Sequence, residues 1–127
     1  MARILIAEDE EAVRAFVRRA LEIDGHVVKE ARDGAEALEI LEIEKGAFDL
    51  LLTDIRMPLM DGIALALAAA PQFPDLVILL MTGYADQRER AHGLDALIHD
   101  VVTKPFSLAD IRAKAAEALA AGPKRPA

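Results

Sequence analysis

The sequence predicts an α/β fold, a doubly wound sheet of five parallel strands with five helices packed on its two faces. Short apolar runs alternate with helical patterns along the 127 residues. Two of these runs, Phe48 to Thr53 and Leu76 to Met81, are apolar almost throughout, as strands covered on both faces are. Strand alternating with helix through right-handed crossovers makes the parallel sheet the natural architecture.

The elements follow in order. Arg3 to Ala7 reads as the first strand. Glu11 to Ile23 reads as a helix whose Val13, Phe16, Val17, Ala20 and Leu21 form one apolar stripe, ended by Gly25. The second strand is His26 to Ala31. The second helix starts at the N-cap Asp33, directs Ala35, Leu38 and Leu41 inward, and closes at Gly46. After the third strand and a loop, Ile55 to Asp61, Gly62 opens a short helix expected to end at Pro71 and Pro74. The fourth strand, Leu76 to Met81, precedes a weaker helix at about Asp86 to Leu94, interrupted by Gly93. Ile98 to Thr103 is the fifth strand, and Ser107 caps a last helix through Leu108, Ile111, Ala115 and Leu119. The flavodoxin-like variant of this architecture orders its strands 2-1-3-4-5, which sets strands 1 and 3 side by side at the switch point where such sheets bind ligands.

Composition narrows the function classes. Half of the chain is hydrophobic, enough for one domain with a core that needs no disulfide, and the absence of cysteine excludes thiolate metal sites. The net charge of -7 argues against a nucleic-acid backbone as partner. No apolar run reaches the length of a membrane span, and the start shows no signal-peptide pattern, so a cytoplasmic location is expected. Arg14, Arg18 and Arg19 read as the solvated side of a helix, with Arg18 and Glu22 spaced as a surface pair.

The strand ends carry the chemistry. Asp54 closes the third strand, Glu8 and Asp9 the first, Thr82 the fourth and Lys104 the fifth. In an open parallel sheet these carboxyl ends converge on one crevice. The turn after the first strand, Ala7-Glu8-Asp9-Glu10-Glu11, has no glycine to cradle a phosphate; its acids instead suit Mg²⁺, which takes carboxylate oxygens and retained waters. Held by Asp9 and Asp54, with Glu8 acting through a water, the ion relieves carboxylate repulsion and draws in a phosphoryl group that Asp54 can attack. Mg²⁺, Lys104 and Thr82 would then each neutralise one equatorial oxygen.

These residues also resemble a family. Ile4-Leu5-Ile6-Ala7-Glu8-Asp9-Glu10, Leu52-Thr53-Asp54-Ile55-Arg56-Met57-Pro58-Leu59-Met60-Asp61-Gly62, Met81-Thr82-Gly83-Tyr84 and Thr103-Lys104-Pro105-Phe106 are similar to the CheY-like receiver domain of two-component response regulators. The likeness covers about Ala2 to Leu119, with all four motifs in order. It implies a receiver domain over residues 1–121 followed by a short flexible C-terminal tail, 122–127. It implies Asp54 as phosphoacceptor, with a sensor histidine kinase or histidine phosphotransfer protein as donor. Asp9, Asp54 and the Arg56 backbone carbonyl would bind Mg²⁺, with Glu8 acting through a water, and the Lys104–Pro105 peptide would be cis. Phosphorylation and dephosphorylation are then self-catalysed by a switch that is not an enzyme in the ordinary sense. Its output is a changed affinity for a downstream protein, on a face that the family builds from the fourth helix, the fifth strand and the last helix.

Two departures stand out. Glu8 replaces the commoner aspartate and keeps the charge. Val101 stands where chemotaxis regulators carry an aromatic that swings inward as the threonine closes on phosphate. Tyr84, with Arg56, is a candidate modulator of phosphoryl lifetime, limiting water's approach to phospho-Asp54. The Thr82 to Tyr84 segment and Val101 also resemble small single-domain regulators of the CpdR type, adaptors that prime a AAA+ protease when unphosphorylated. A phosphohydrolase of the haloacid-dehalogenase type shares the aspartate, threonine, lysine and Mg²⁺, but needs a second aspartate two residues after the nucleophile. Arg56 stands there. The all-round apolar stretch Ile63 to Ala70 reads as an alanine-rich helix, with a partner-binding face at Leu65 as the alternative.

Overall fold

The computed structural model describes residues 1–83, 90–91 and 93–123. Its elements are β1 (Arg3–Ala7), α1 (Glu11–Ile23), β2 (Val27–Ala31), α2 (Gly34–Ile43), β3 (Leu50–Asp54), α3 (Gly62–Gln72), β4 (Val77–Thr82), β5 (Asp100–Thr103) and α4 (Leu108–Ala121). All strands are parallel, in the order β2-β1-β3-β4-β5. Among the described residues there are four helices where five were expected. The expected helix at Asp86 to Leu94 lies mostly outside the described residues, with Arg90 and Ala91 helical.

Period-two alternation sorts the strand side chains into two cores. Leu5, Ala7, Leu51, Ile78 and Leu80 pack with Ala37 and Leu41 of α2 and Ile63, Leu65, Ala66 and Ala69 of α3. Ile4, Ile6, Leu50, Leu52, Leu79 and Met81 pack on the other face with Val17, Ala20 and Leu21 of α1 and Ile111, Ala115 and Ala118 of α4. β3 and β4 are buried at every position, which is why their sequences carry no polar alternation. Among the described residues, no helix is long and apolar enough to cross a membrane.

Caps fall where the sequence placed them. Asp33 accepts from the Glu36 amide, and Ser107 and Asp110 form a reciprocal capping box. Gly25 and Gly46 take the left-handed conformation that ends α1 and α2.

Several expectations need correction. β3 starts at Leu50 and takes in Asp54, and β4 takes in Thr82, because the β3–β4 ladder continues to the pair Asp54 and Met81. The two key polar residues are therefore the last rungs of the sheet. β2 and β5 are shorter than predicted at their starts. Pro71 lies inside α3, within the last turn, where only the Leu67 carbonyl loses a partner to the missing N–H. In α2, Ala35 is exposed and Ala37 takes the inward position. Leu65 is completely buried against β-strand side chains, so it cannot be a partner-binding residue; the exposed leucine of α3 is Leu67.

Candidate functional site: an acidic pocket at the strand ends

β1 and β3 run side by side with Ala7 opposite Thr53, so the next residues, Glu8 and Asp54, emerge together at the sheet's carboxyl edge. Both continue the alternation of Ile6 and Leu52 and so lie toward the α1 and α4 side. Lys104 does the same one step past the pair Thr82 and Thr103, in phase with Val102. Strand register thus delivers three charged side chains to one point from three separated segments.

The contacts there are direct. The Lys104 ammonium donates to Glu8 Oε1 at 3.1 Å and to Asp54 Oδ2 at 3.1 Å. Glu8 Oε2 accepts from the Glu10 amide at 3.1 Å, so both of its oxygens are engaged. One carboxylate oxygen from each of Glu8, Asp9 and Asp54 lies within 4.8 Å of the others. Glu8 and Asp54 are buried, while Asp9 is exposed at the mouth.

Burial first, and then the charge of Asp54, push the Glu8 carboxyl up to about 7 against the pull of the Glu10 amide and Lys104. Burial likewise raises Asp54 above its ordinary value, with Lys104 opposing. For Lys104, burial works against the ammonium, but the Asp54 and Glu8 carboxylates outweigh it and hold its pKa above the usual lysine value. With Glu8 ionised, one ammonium against three carboxylates leaves the pocket two negative charges in excess; with Glu8 protonated the excess is one.

Thr82 is buried at the end of β4, where its carbonyl accepts from the Lys104 amide at 2.8 Å. The Lys104–Pro105 peptide is cis. Arg56 has an exposed side chain two residues past Asp54. Val101 is half-buried and packs with the α2 and α3 core, on the face opposite Lys104. Tyr84 lies outside the described residues.

Two features escaped the sequence reading. Arg14, read as solvated, is nearly buried, and its Nη1 donates to the Glu8 carbonyl at 2.8 Å. Gly62, read only as a helix opener, holds the loop after Asp54 closed by donating its amide to the Ile55 carbonyl at 2.7 Å. A Cβ on Gly62 would stand 2.1 Å from the Asp54 carbonyl oxygen. Asp61 caps α3 through the Ala64 amide and pairs with Arg90 at 3.3 Å. The sole advance sign was the Asp61-Gly62 dipeptide itself, which marks a turn but not what the turn presses against.

The donor set is hard oxygen throughout, the chemistry that Mg²⁺ prefers. Glu8, Asp9 and Asp54 together could supply such oxygens to one ion, directly or through a retained water.

Comparison with known proteins agrees with this geometry. The response regulator MprA of Mycobacterium ulcerans is 38% identical over 112 residues, covering 88% of this chain and 47% of that protein, so the chain spans about half the length of the curated relatives it matches. A response regulator receiver domain protein from Clostridium thermocellum superposes with a TM-score of 0.86 over 95% of this chain and 96% of that one, at 24% identity, a likeness of fold alone. TrrA from Thermotoga maritima, crystallised in complex with Mg²⁺-BeF, superposes with a TM-score of 0.81 at 28% identity, covering 92% and 98% of the two chains. The family model for the response regulator receiver domain matches residues 4–116, and the chain belongs to that family.

Proposed function

We propose that the domain is a Mg²⁺-dependent phosphorylation switch in which Asp54 accepts a phosphoryl group from a phosphohistidine on a sensor kinase or phosphotransfer protein. The observation that carries this reading is the buried Asp54 carboxylate set against Glu8, Asp9 and Lys104, a cluster with two negative charges in excess once Glu8 is ionised, which one divalent cation balances. Glu8, Asp9 and Asp54, with the Arg56 carbonyl, would hold Mg²⁺. When bound, the ion supplies charge neutralisation for a phosphoryl oxygen and for the carboxylates themselves.

The chain's own residues do the rest. An Asp54 oxygen forms the new O–P bond as the donor's N–P bond breaks, and the leaving imidazole takes up a proton. Lys104 already touches Asp54 Oδ2, so its ammonium is in place for an oxygen of the incoming group, and the Thr82 hydroxyl can reach another. In a loose transition state such positioned charge supplies most of the acceleration. Arg56, standing where a hydrolase of the haloacid-dehalogenase kind needs a general acid, offers no proton to an ester leaving group. The covalent intermediate is therefore a signal state. Its output is a changed affinity for a partner protein, transmitted through the β4 and β5 ends that carry Thr82 and Lys104.

TrrA's complex supplies the form of the test. Titrating beryllofluoride with Mg²⁺ into the protein should shift the amide resonances of Asp54, Thr82 and Lys104 together, and Asp54→Asn should abolish the response. A response that survives Asp54→Asn, or one that needs no Mg²⁺, would contradict the proposal.

A further inference from the structure

The peptide that joins Glu8 to Asp9 links the pocket's innermost carboxylate to its outermost. β1 ends at Ala7, and the carbonyl of Glu8 has passed beyond the sheet ladder. Its hydrogen bond comes from Arg14, one turn into α1, at 2.8 Å. Arg14 is itself anchored: its Nε faces Glu30 Oε1 at 3.6 Å, while the other oxygen of Glu30 accepts from Arg18 at 2.8 Å. The next residue on β2, Ala31, accepts the Glu8 amide at 3.1 Å. Glu8 is thus tied at both its N–H and its C=O to the same end of β2, once directly and once through the arginine.

From this arrangement we infer that Arg14 is a positioning residue for the cation site, fixing the plane of the Glu8–Asp9 peptide so that the two side chains converge on Asp54. The inference rests on the Mg²⁺ reading given above. Only 14% of the Arg14 side chain is exposed, and desolvating a guanidinium beside a backbone carbonyl is sustained by the bonds it makes there. The electrostatic effect runs the other way. A positive charge close to a cation site weakens cation binding, so removing Arg14 as a charge alone would tighten it. Removing it as a brace would loosen it.

The opposite signs make the test decisive. Mg²⁺ is titrated calorimetrically into wild type, Arg14→Ala, Arg14→Lys and Arg19→Ala, the last an exposed arginine of the same helix. The Asp9 amide resonance is recorded in the metal-free proteins, and their thermal unfolding in EDTA confirms the fold. Arg14→Ala should bind Mg²⁺ about 10-fold more weakly, the usual cost of losing a group that orients a metal ligand, and should shift the Asp9 amide before any metal is added. Arg14→Lys keeps the charge but loses the planar fork, so its loss of about 3-fold is purely geometric. It also carries the test if Arg14→Ala fails to fold. Arg19→Ala should match wild type. Binding by Arg14→Ala as tight as wild type or tighter, or an unmoved Asp9 amide, overturns the inference alone. A wild type that binds no Mg²⁺ overturns the metal reading, and the inference falls with it.

Discussion

Lys104 Nζ lies 3.1 Å from Asp54 Oδ2 and equally close to Glu8 Oε1, so a single ammonium compensates two buried carboxylates that would otherwise repel. Replacing it with an uncharged side chain of similar bulk, Lys104→Met, should therefore destabilise the metal-free protein at neutral pH. The loss should be about 1–3 kcal/mol, below the full cost of breaking a buried pair because 23% of the lysine side chain meets solvent. The same variant should bind Mg²⁺ more tightly, since the ion no longer competes with the ammonium. Urea unfolding in EDTA and calorimetric Mg²⁺ titration read the two effects. Weaker Mg²⁺ binding would show that Lys104 organises the carboxylates rather than competing for them.

Glu8 gives the metal-free protein an unusual pH dependence. Its carboxyl rises from an ordinary 4.5 to about 7 in the folded state, so between those values the folded chain holds a proton that the unfolded chain has released. Stability then falls as pH rises through that window, the reverse of the common carboxylate behaviour. In EDTA the urea midpoint should drop between pH 5 and pH 7.5. Saturating Mg²⁺, which replaces the proton, should remove the drop, and Glu8→Gln should reduce it without metal, leaving the contribution of Asp54, whose carboxyl is raised as well.

Gly62 has no room for a methyl group, and the atom it would strike belongs to the backbone of Asp54. Gly62→Ala should cost about 1–3 kcal/mol, the scale of overpacking in a tight site. It should also reduce phosphoryl acceptance more than an equally destabilising substitution in the distant core. Comparison with Leu41→Val at matched stability separates the local effect from the global one.

α3 distinguishes its two central leucines. Leu65 is fully buried, whereas Leu67 is half exposed. Leu65→Glu should abolish cooperative unfolding, and Leu67→Glu should change stability by no more than about 0.5 kcal/mol. Equal tolerance at both positions would contradict the packing described for α3.

The contrast between these two residues shows where sequence reading stops. Ile63 to Ala70 is apolar on every side, so no period marks the buried stripe, and only the neighbours β3 and α2 select Leu65. Strands were easier: β3 and β4 are covered on both faces, and a run without polar residues leaves few other readings. Asp54, Glu8, Thr82 and Lys104 were legible because parallel strands end on one edge, so position in the chain implied position in space. Arg14 was not. Its partner is a backbone carbonyl across a turn, and a main-chain acceptor leaves no mark in the sequence. Gly62 shows the same limit, since its constraint comes from another backbone rather than from its own conformation.

The central claim is that Asp54 is the phosphoacceptor and that the acidic pocket makes it so. Its most direct test is to incubate the protein with a phosphorylated histidine phosphotransfer protein and Mg²⁺, trap any acyl phosphate by borohydride reduction, and locate the modified residue by peptide mass spectrometry. Modification is expected at Asp54 alone, lost in EDTA and in Asp54→Asn. Modification at any other residue, or transfer that persists in EDTA, would contradict it.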